Sequence, residues 1–149
     1  MATLPNLIFI MTSIQKGTLT ELQCQYDFTR LGYLVSQPIS PCRYDFIVDI
    51  GTSLIRIQCK TARLENNGTI RFECRSGRGV KDGFLHERYS KEQIDYFYTC
   101  WENIGYLIPV EECSTSKSIR LYKIGTIYQN STYAEDCTIQ KTLERCEFN

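Results

Sequence analysis

The clearest alternation of apolar and polar positions in the chain runs from Tyr44 to Lys60. Tyr44, Phe46, Val48 and Ile50 take one parity, and Asp45, Ile47 and Asp49 take the other. After Gly51-Thr52-Ser53 the alternation resumes, with Ile55, Ile57 and Cys59 set against Arg56, Gln58 and Lys60. Strand side chains point to alternate faces, so the pattern predicts strands over Tyr44 to Ile50 and Leu54 to about Arg63, each with one polar-bearing face. Asn66-Asn67-Gly68 is a turn signal that brings the chain back as a strand from Thr69 to Arg75, which makes a meander.

Upstream, "GTLTELQCQYDFTRLG" (17–32) reads as a helix. Thr18 serves as N-cap with Glu21 three residues on, Leu19, Leu22, Tyr26 and Leu31 form the apolar stripe, and Gly32 closes the helix. A short strand, Tyr33 to Ser36, precedes a loop holding Pro38 and Pro41. Downstream, "SGRGVKDG" (76–83) reads as a basic loop. Ser90 and Gln93 suggest one helical turn before a strand at Tyr96 to Trp101, and "GYLIPV" completes a hairpin with it. In the tail, "SIRLYKIG" looks like a strand and "TIQKTLERC" like a terminal helix. This order predicts an α/β or α+β fold with a central sheet. The length of 149 residues fits a single domain over 1–149, with 1–15 as an N-terminal extension.

Composition changes this picture little, but charge changes it more. The net charge is zero, which argues against a broad basic field, yet residues 56–91 carry nine Lys or Arg against four Asp or Glu. Such a local cluster is enough to face phosphates. The candidate DNA-binding residues are Arg63, Asn66, Asn67, Arg71, Arg75, Arg78 and Lys81. Arg71 and Arg75 share strand parity, and the Asn66-Asn67 hairpin is placed to enter a groove. The eight cysteines include no C-x-x-C pair, and the opening "LPNLIFIM" lacks a basic flank and a cleavage site and is too short to span a membrane. These features suggest reduced, packed thiols and an intracellular setting, in the cytoplasm or an organelle stroma or matrix, with no membrane partner. A lone His86 argues against Ser-His-Asp catalysis.

The chemistry lies in the hairpin. If Gly51-Thr52 is a two-residue loop, Asp45 lies opposite Gln58, and a four-residue loop places it opposite Lys60. A three-residue loop without a bulge would oppose it to Cys59 and undo the cluster. Mg²⁺ (or Mn²⁺) prefers oxygen ligands and keeps several waters, so Asp45 and the Gln58 carbonyl suffice as a protein share. Lys60 beside them can handle the proton of an attacking water and offset charge on phosphoryl oxygens, and its pKa should fall there. Asp49, on the Asp45 face but near the turn, is assigned a structural role.

Asp45 followed by Gln58-Cys59-Lys60 resembles the PD-(D/E)XK nuclease core, and the chain is most similar to its group I intron-encoded homing endonuclease branch. The blocks that carry the resemblance are "KGTLTE" (16–21), "YDFIVD" (44–49), "IQCKTA" (57–62), "YSKEQIDYF" and "YLIP", so it covers roughly residues 16–110. It implies a restriction-endonuclease-like core, a central mixed sheet flanked by helices. It implies Asp45 as main metal ligand, Glu21 as the acidic residue of the first helix, Gln58 in the usual acidic slot, and Lys60 as the catalytic lysine. The implied activity is site-specific hydrolysis of double-stranded DNA at a long pseudo-palindromic site by a homo-oligomer, a dimer or a tetramer. A restriction or DNA-repair nuclease on the same core, an inactive DNA-binding module, and a thiol-dependent or metal-storage protein are the rival readings.

Overall fold

The computed structural model describes residues 10–66, 68–123 and 130–147. Helix α1 (Ser13–Arg30) leads into strand β1 (Leu34–Ser36), followed by β2 (Phe46–Asp49) and β3 (Leu54–Cys59). Next come β4 (Arg63–Glu65), β5 (Thr69–Glu73), β6 (Arg75–Val80) and β7 (Gly83–Arg88). The chain then runs through β8 (Tyr96–Trp101), β9 (Ile104–Pro109), β10 (Ser116–Arg120) and helix α2 (Ile139–Glu147).

A five-stranded mixed sheet has the order β1-β2-β3-β8-β9, in which only β3 and β8 run parallel. A three-stranded sheet has the order β10-β5-β4, and β6 and β7 form a separate two-stranded ribbon. The expected meander is therefore corrected: β5 returns antiparallel to β4 as expected, but the two leave the central sheet, and β5 pairs on its other side with β10. The parallel β3–β8 step requires a crossover, which β4 to β7 supply. The segment read as a basic loop is likewise a β-hairpin, turning at Lys81-Asp82.

The alternation of β8 explains the layering. Tyr96 and Tyr98 join Cys24 and Phe28 of α1 and Ile139 and Leu143 of α2 in one apolar cluster. Phe97 points the other way, into a cluster with Ile70 and Phe72 of β5 and Ile119 of β10. Both faces of the central sheet are thus covered, one by the helices and one by the smaller sheet. That is why β8 reads as a continuous apolar run rather than an alternating one.

Helix α1 corrects two expectations. It begins a turn and a half earlier than Thr18, inside the stretch read as an extension, with Thr12 as N-cap in a reciprocal capping box with Gln15. Thr18 and Glu21 are interior, and Thr18 donates its hydroxyl to the Ile14 carbonyl. The buried face carries Thr20, Cys24, Asp27 and Phe28, whereas Leu19, Leu22 and Tyr26 are exposed. Periodicity found an apolar stripe, but polar partners decided which stripe faces the sheet. Asp27, 4% exposed, accepts from the Tyr98 hydroxyl at 2.7 Å and from Gln23 at 3.0 Å, and Thr20 bonds Thr61 at 3.2 Å. The helix ends as expected at Gly32, with φ +88°. The Gly32 and Tyr33 amides close back onto the Thr29 and Phe28 carbonyls.

The other elements follow the expected pattern closely. Around Ser90 the chain makes the single hydrogen-bonded turn expected, with the Gln93 and Ile94 amides both bonding the Ser90 carbonyl at 3.0 Å. In the tail the strand starts earlier, at Ser116, and ends at Arg120. Residues 124 and 125 of the expected strand, Asn67 of the expected turn, and 1–9 of the expected extension lie outside the described residues.

The Asp27–Tyr98 pair leaves no room above Gly105, where an added Cβ would meet the Asp27 Oδ2 at 2.2 Å and the Tyr98 hydroxyl at 2.7 Å. Gly105→Ala is expected to destabilise the fold by about 1–3 kcal/mol through overpacking of this site. Thermal denaturation read by circular dichroism checks it, and an unchanged melting temperature would refute the packing assignment.

Candidate functional site

The β2–β3 hairpin adopts the two-residue register. Phe46 pairs with Ile57 and Asp49 with Leu54, and Ile50 N–H bonds the Ser53 carbonyl. Asp45 lies just before the paired residues, and its amide bonds the carbonyl of Ile57, the partner of Phe46, at 2.8 Å. Asp49 accepts from Gly51 N–H at 2.8 Å, a hydrogen bond that stabilises the turn.

The Asp45 carboxylate is the hub of the site. Its Oδ2 accepts from the Cys59 amide at 2.7 Å and from the Gln58 Nε2 at 2.6 Å. Both hydrogen bonds fall on Oδ2, which leaves Oδ1 with capacity for a cation. The Gln58 amide also donates to the Cys59 carbonyl at 3.2 Å, so its own carbonyl oxygen is the end turned away from these contacts. A carboxylate in its place would repel Asp45 at this distance, whereas the amide holds it.

Burial pushes the Asp45 carboxyl up from its usual range, against the lowering pull of the Cys59 amide, Lys60 and Gln58. Glu21, on α1, is raised by burial and then by the negative charge of Asp45. The bond from Thr20 to Thr61 pins that turn of α1 to the end of β3. The Lys60 ammonium is pulled down, as expected, and burial is the cause, with Asp45 opposing it. Its Nζ donates to the Arg75 carbonyl at 3.1 Å and lies 5.0 Å from the centre of the Tyr89 ring.

Glu21, Asp45, Gln58 and Lys60 are therefore brought together. The expected DNA contacts are divided. Arg63 and Arg71 are cross-strand partners on β4 and β5, beside Glu73 and Glu65, with Asn66 in their exposed turn. Arg75 lies not on the strand of Arg71 but at the root of β6, where it pairs with Glu73, and Arg78 and Lys81 lie further out on the ribbon. Sequence reasoning missed Arg43 and Tyr89. The Arg43 guanidinium stacks 4.0 Å from the Tyr89 ring and bonds Ser76 at 2.7 Å, joining the ribbon to the Lys60 side of the site. The available signals were that Arg43 lies next to the block 44–49 and that Tyr89 opens the block 89–97.

The donor set suits a hard divalent cation. Two carboxylates held above their usual pKa, one partly by the other, together with an amide carbonyl are what such an ion would neutralise and use. Among the described residues no group of three or more His, Cys, Asp or Glu could hold a metal, so any bound ion would keep water among its ligands. All eight cysteines are free thiols. Glu21, Asp45, Gln58 and Lys60 are all partly exposed. No described helix is long and apolar enough to cross a membrane.

A family model described as PD-(D/E)XK endonuclease matches residues 11–135. Among solved structures, a bacterial homing endonuclease, I-Ssp6803I, superposes with a TM-score of 0.74 at 16% identity, covering 93% of this chain and 96% of that one. At that identity the likeness is one of fold. No curated protein matches the chain.

The charges of the site are held at the expense of stability. A carboxyl raised by folding contributes stability that is present below its unfolded pKa and lost as pH rises through the folded value. Lys60, lowered by folding, contributes stability that is present above the unfolded lysine range and lost as pH falls through the folded value. Asp45→Asn keeps an acceptor for the Cys59 amide without the charge. It is expected to raise the melting temperature by a few degrees at neutral pH, the gain shrinking as pH falls towards 4. Gln58→Glu should act oppositely, lowering the melting temperature without divalent cation and enlarging the rise that added Mg²⁺ produces. Calorimetry over pH and Mg²⁺ concentration checks both.

Proposed function

The chain belongs to the PD-(D/E)XK endonuclease family, and on that premise we propose that it is a site-specific endonuclease hydrolysing double-stranded DNA with Mg²⁺ (or Mn²⁺). The observation that carries this reading is the hydrogen-bonded Asp45–Gln58 pair, with Lys60 next along the same strand face. Nucleases of this family typically use divalent metals. Here Asp45, the Gln58 carbonyl and Glu21 would hold the ion, which when bound supplies positive charge to the phosphoryl oxygens and makes water easier to deprotonate.

The rest of the chemistry belongs to the chain. Lys60, with its pKa lowered by burial, takes the proton of a water aligned against phosphorus and then carries positive charge as the phosphoryl group gains negative charge. As the water oxygen bonds phosphorus, the P–O bond to the 3′ oxygen breaks and that oxygen takes a proton from solvent, leaving 5′-phosphate and 3′-hydroxyl ends. The partial exposure of Glu21, Asp45, Gln58 and Lys60 lets a duplex reach them.

The homing role is proposed from the resemblance of the sequence blocks and from the fold shared with a homing endonuclease. A chain this short reads a long site only by assembling around it, so a dimer or tetramer on pseudo-palindromic DNA belongs to the same reading. Gln58 in the acidic slot supports one alternative, a DNA-binding module without cleavage.

Plasmid nicking with Mg²⁺ separates them. Wild-type protein should nick and linearise, and Lys60→Ala should be slower by about 10²–10⁴-fold, the usual worth of a general base. Equal products from both, or none from either, would overturn the mechanism. Because Lys60 must lose a proton, the rate should rise with pH through its lowered pKa. Lys60→Arg, which keeps its charge over the whole range, should lose both the activity and the pH dependence. An arginine variant as active as wild type would remove the base role.

A further inference from the structure

The β6–β7 ribbon leaves the body of the protein and exposes residues 77–88 throughout. Its register separates two faces, since cross-strand partners share one. Arg75 with Arg88, Gly77 with His86, and Gly79 with Phe84 lie on the first face, and Ser76 with Glu87 and Arg78 with Leu85 lie on the second. At the root, Arg43 holds the second face, donating to Ser76 at 2.7 Å and lying 3.8 Å from Glu87. The first face carries the unusual feature. Phe84, 66% exposed, packs against His86 with ring centroids 5.6 Å apart, over strand positions occupied by two glycines. A Cβ on Gly77 would meet the Phe84 ring at 2.7 Å, so the glycine is what lets that ring lie across the ribbon beside His86.

An exposed phenylalanine lying over Gly77 contributes little to any core. Lys and Arg line the ribbon around it and one end is bonded to Lys60, so the complementary surface is a polyanion passing the cleavage site. A two-stranded ribbon fits the major groove of B-DNA, about 12 Å wide, where an apolar side chain meets the thymine methyl group. Resting on the nuclease reading above, we propose that Phe84 and His86 form a sequence-reading rung in the DNA major groove, with Phe84 packing on a thymine methyl and His86 hydrogen-bonding an adjacent base edge. The Lys60 Nζ is bonded to the Arg75 carbonyl at the root, and Phe84 pairs with Gly79, four residues outward. At about 3.4 Å per strand residue and per base step, the thymine that is read lies about four base pairs from the cut phosphate.

The test uses the full chain carrying Asp45→Asn, so that bound DNA stays intact, and selects binding sites from random duplexes. The parent should enrich a site with a thymine in each half at that spacing from the position the wild-type chain cuts. Phe84→Ala should lose information at that position alone. Replacing this thymine by deoxyuridine should weaken the parent about fourfold, the worth of one buried methyl, and leave Phe84→Ala unaffected. Gly77→Ala keeps both side chains but displaces the ring, and should reproduce the loss. Circular dichroism confirms folding of each variant. If the parent enriches a site and the wild type cleaves it, but Phe84→Ala enriches the same site with undiminished information, the rung is overturned and the nuclease reading stands. If no sequence is enriched and the wild type does not nick DNA, both fall. A Phe84→Ala chain with altered sedimentation and unaltered sequence preference would assign the rung to contact between copies of this chain, which also overturns the proposal.

Discussion

The Asp45 carboxylate fixes more of this molecule than any other group. It accepts from the backbone of Cys59 and the side chain of Gln58, so the position of the acid is tied to the register of the hairpin that carries it. A slip of one residue would turn Gln58 and Lys60 to the helix side and put Ile57 and Cys59 in their place. The apolar residues of β2 and β3 prevent that slip, because Phe46, Val48, Ile57 and Cys59 are all buried in the cluster beneath α1. Packing on one face of the sheet thus sets the chemistry on the other.

The polar face divides its residues between support and chemistry. Arg56 has the same parity as Gln58 and Lys60 but is fully engaged away from them. It meets Asp95 through its backbone amide and guanidinium at 2.7–3.0 Å, and it bonds the Lys91 carbonyl at 2.8 Å. This anchors the start of β8 against β3, where parallel pairing has no tight turn to align it. The returned bond from the Asp95 amide to the Arg56 carbonyl makes the clamp two-sided. Gln58 and Lys60 remain beyond the clamp, at the end of the strand that α1 and the ribbon approach.

Shifted charges meet at this site. Two carboxyls are held above their usual range and one lysine below it, mainly by burial. Burial also raises the Tyr98 hydroxyl and the Cys137 thiol elsewhere in the fold, and the Thr99 hydroxyl is buried without a hydrogen-bond partner among the described residues. What sets this site apart is that acids and a base are shifted side by side, an arrangement that clusters at functional sites.

The sequence by itself determined the hairpin and the strands β8 and β9, while the length of the turn, left open between two and four residues, was decided by the structure. The hairpin and these strands rest on interactions between near neighbours, and period-two alternation with turn residues records them directly. It also displayed the residues of the cluster, since Asp45, Gln58 and Lys60 lie within one hairpin. What it left undecided depends on contacts distant along the chain. Which stripe of α1 is buried was settled by Asp27 meeting Tyr98 across 71 positions, a polar choice that apolar periodicity cannot register. Whether β4 and β5 extended the hairpin or crossed to β10 was settled by the need to cover the second face of β8. The loop from 76 to 83 read as irregular because its glycines are turn-formers in sequence. Their pairing across to 83–88, with Phe84 lying over Gly77, makes them part of a strand.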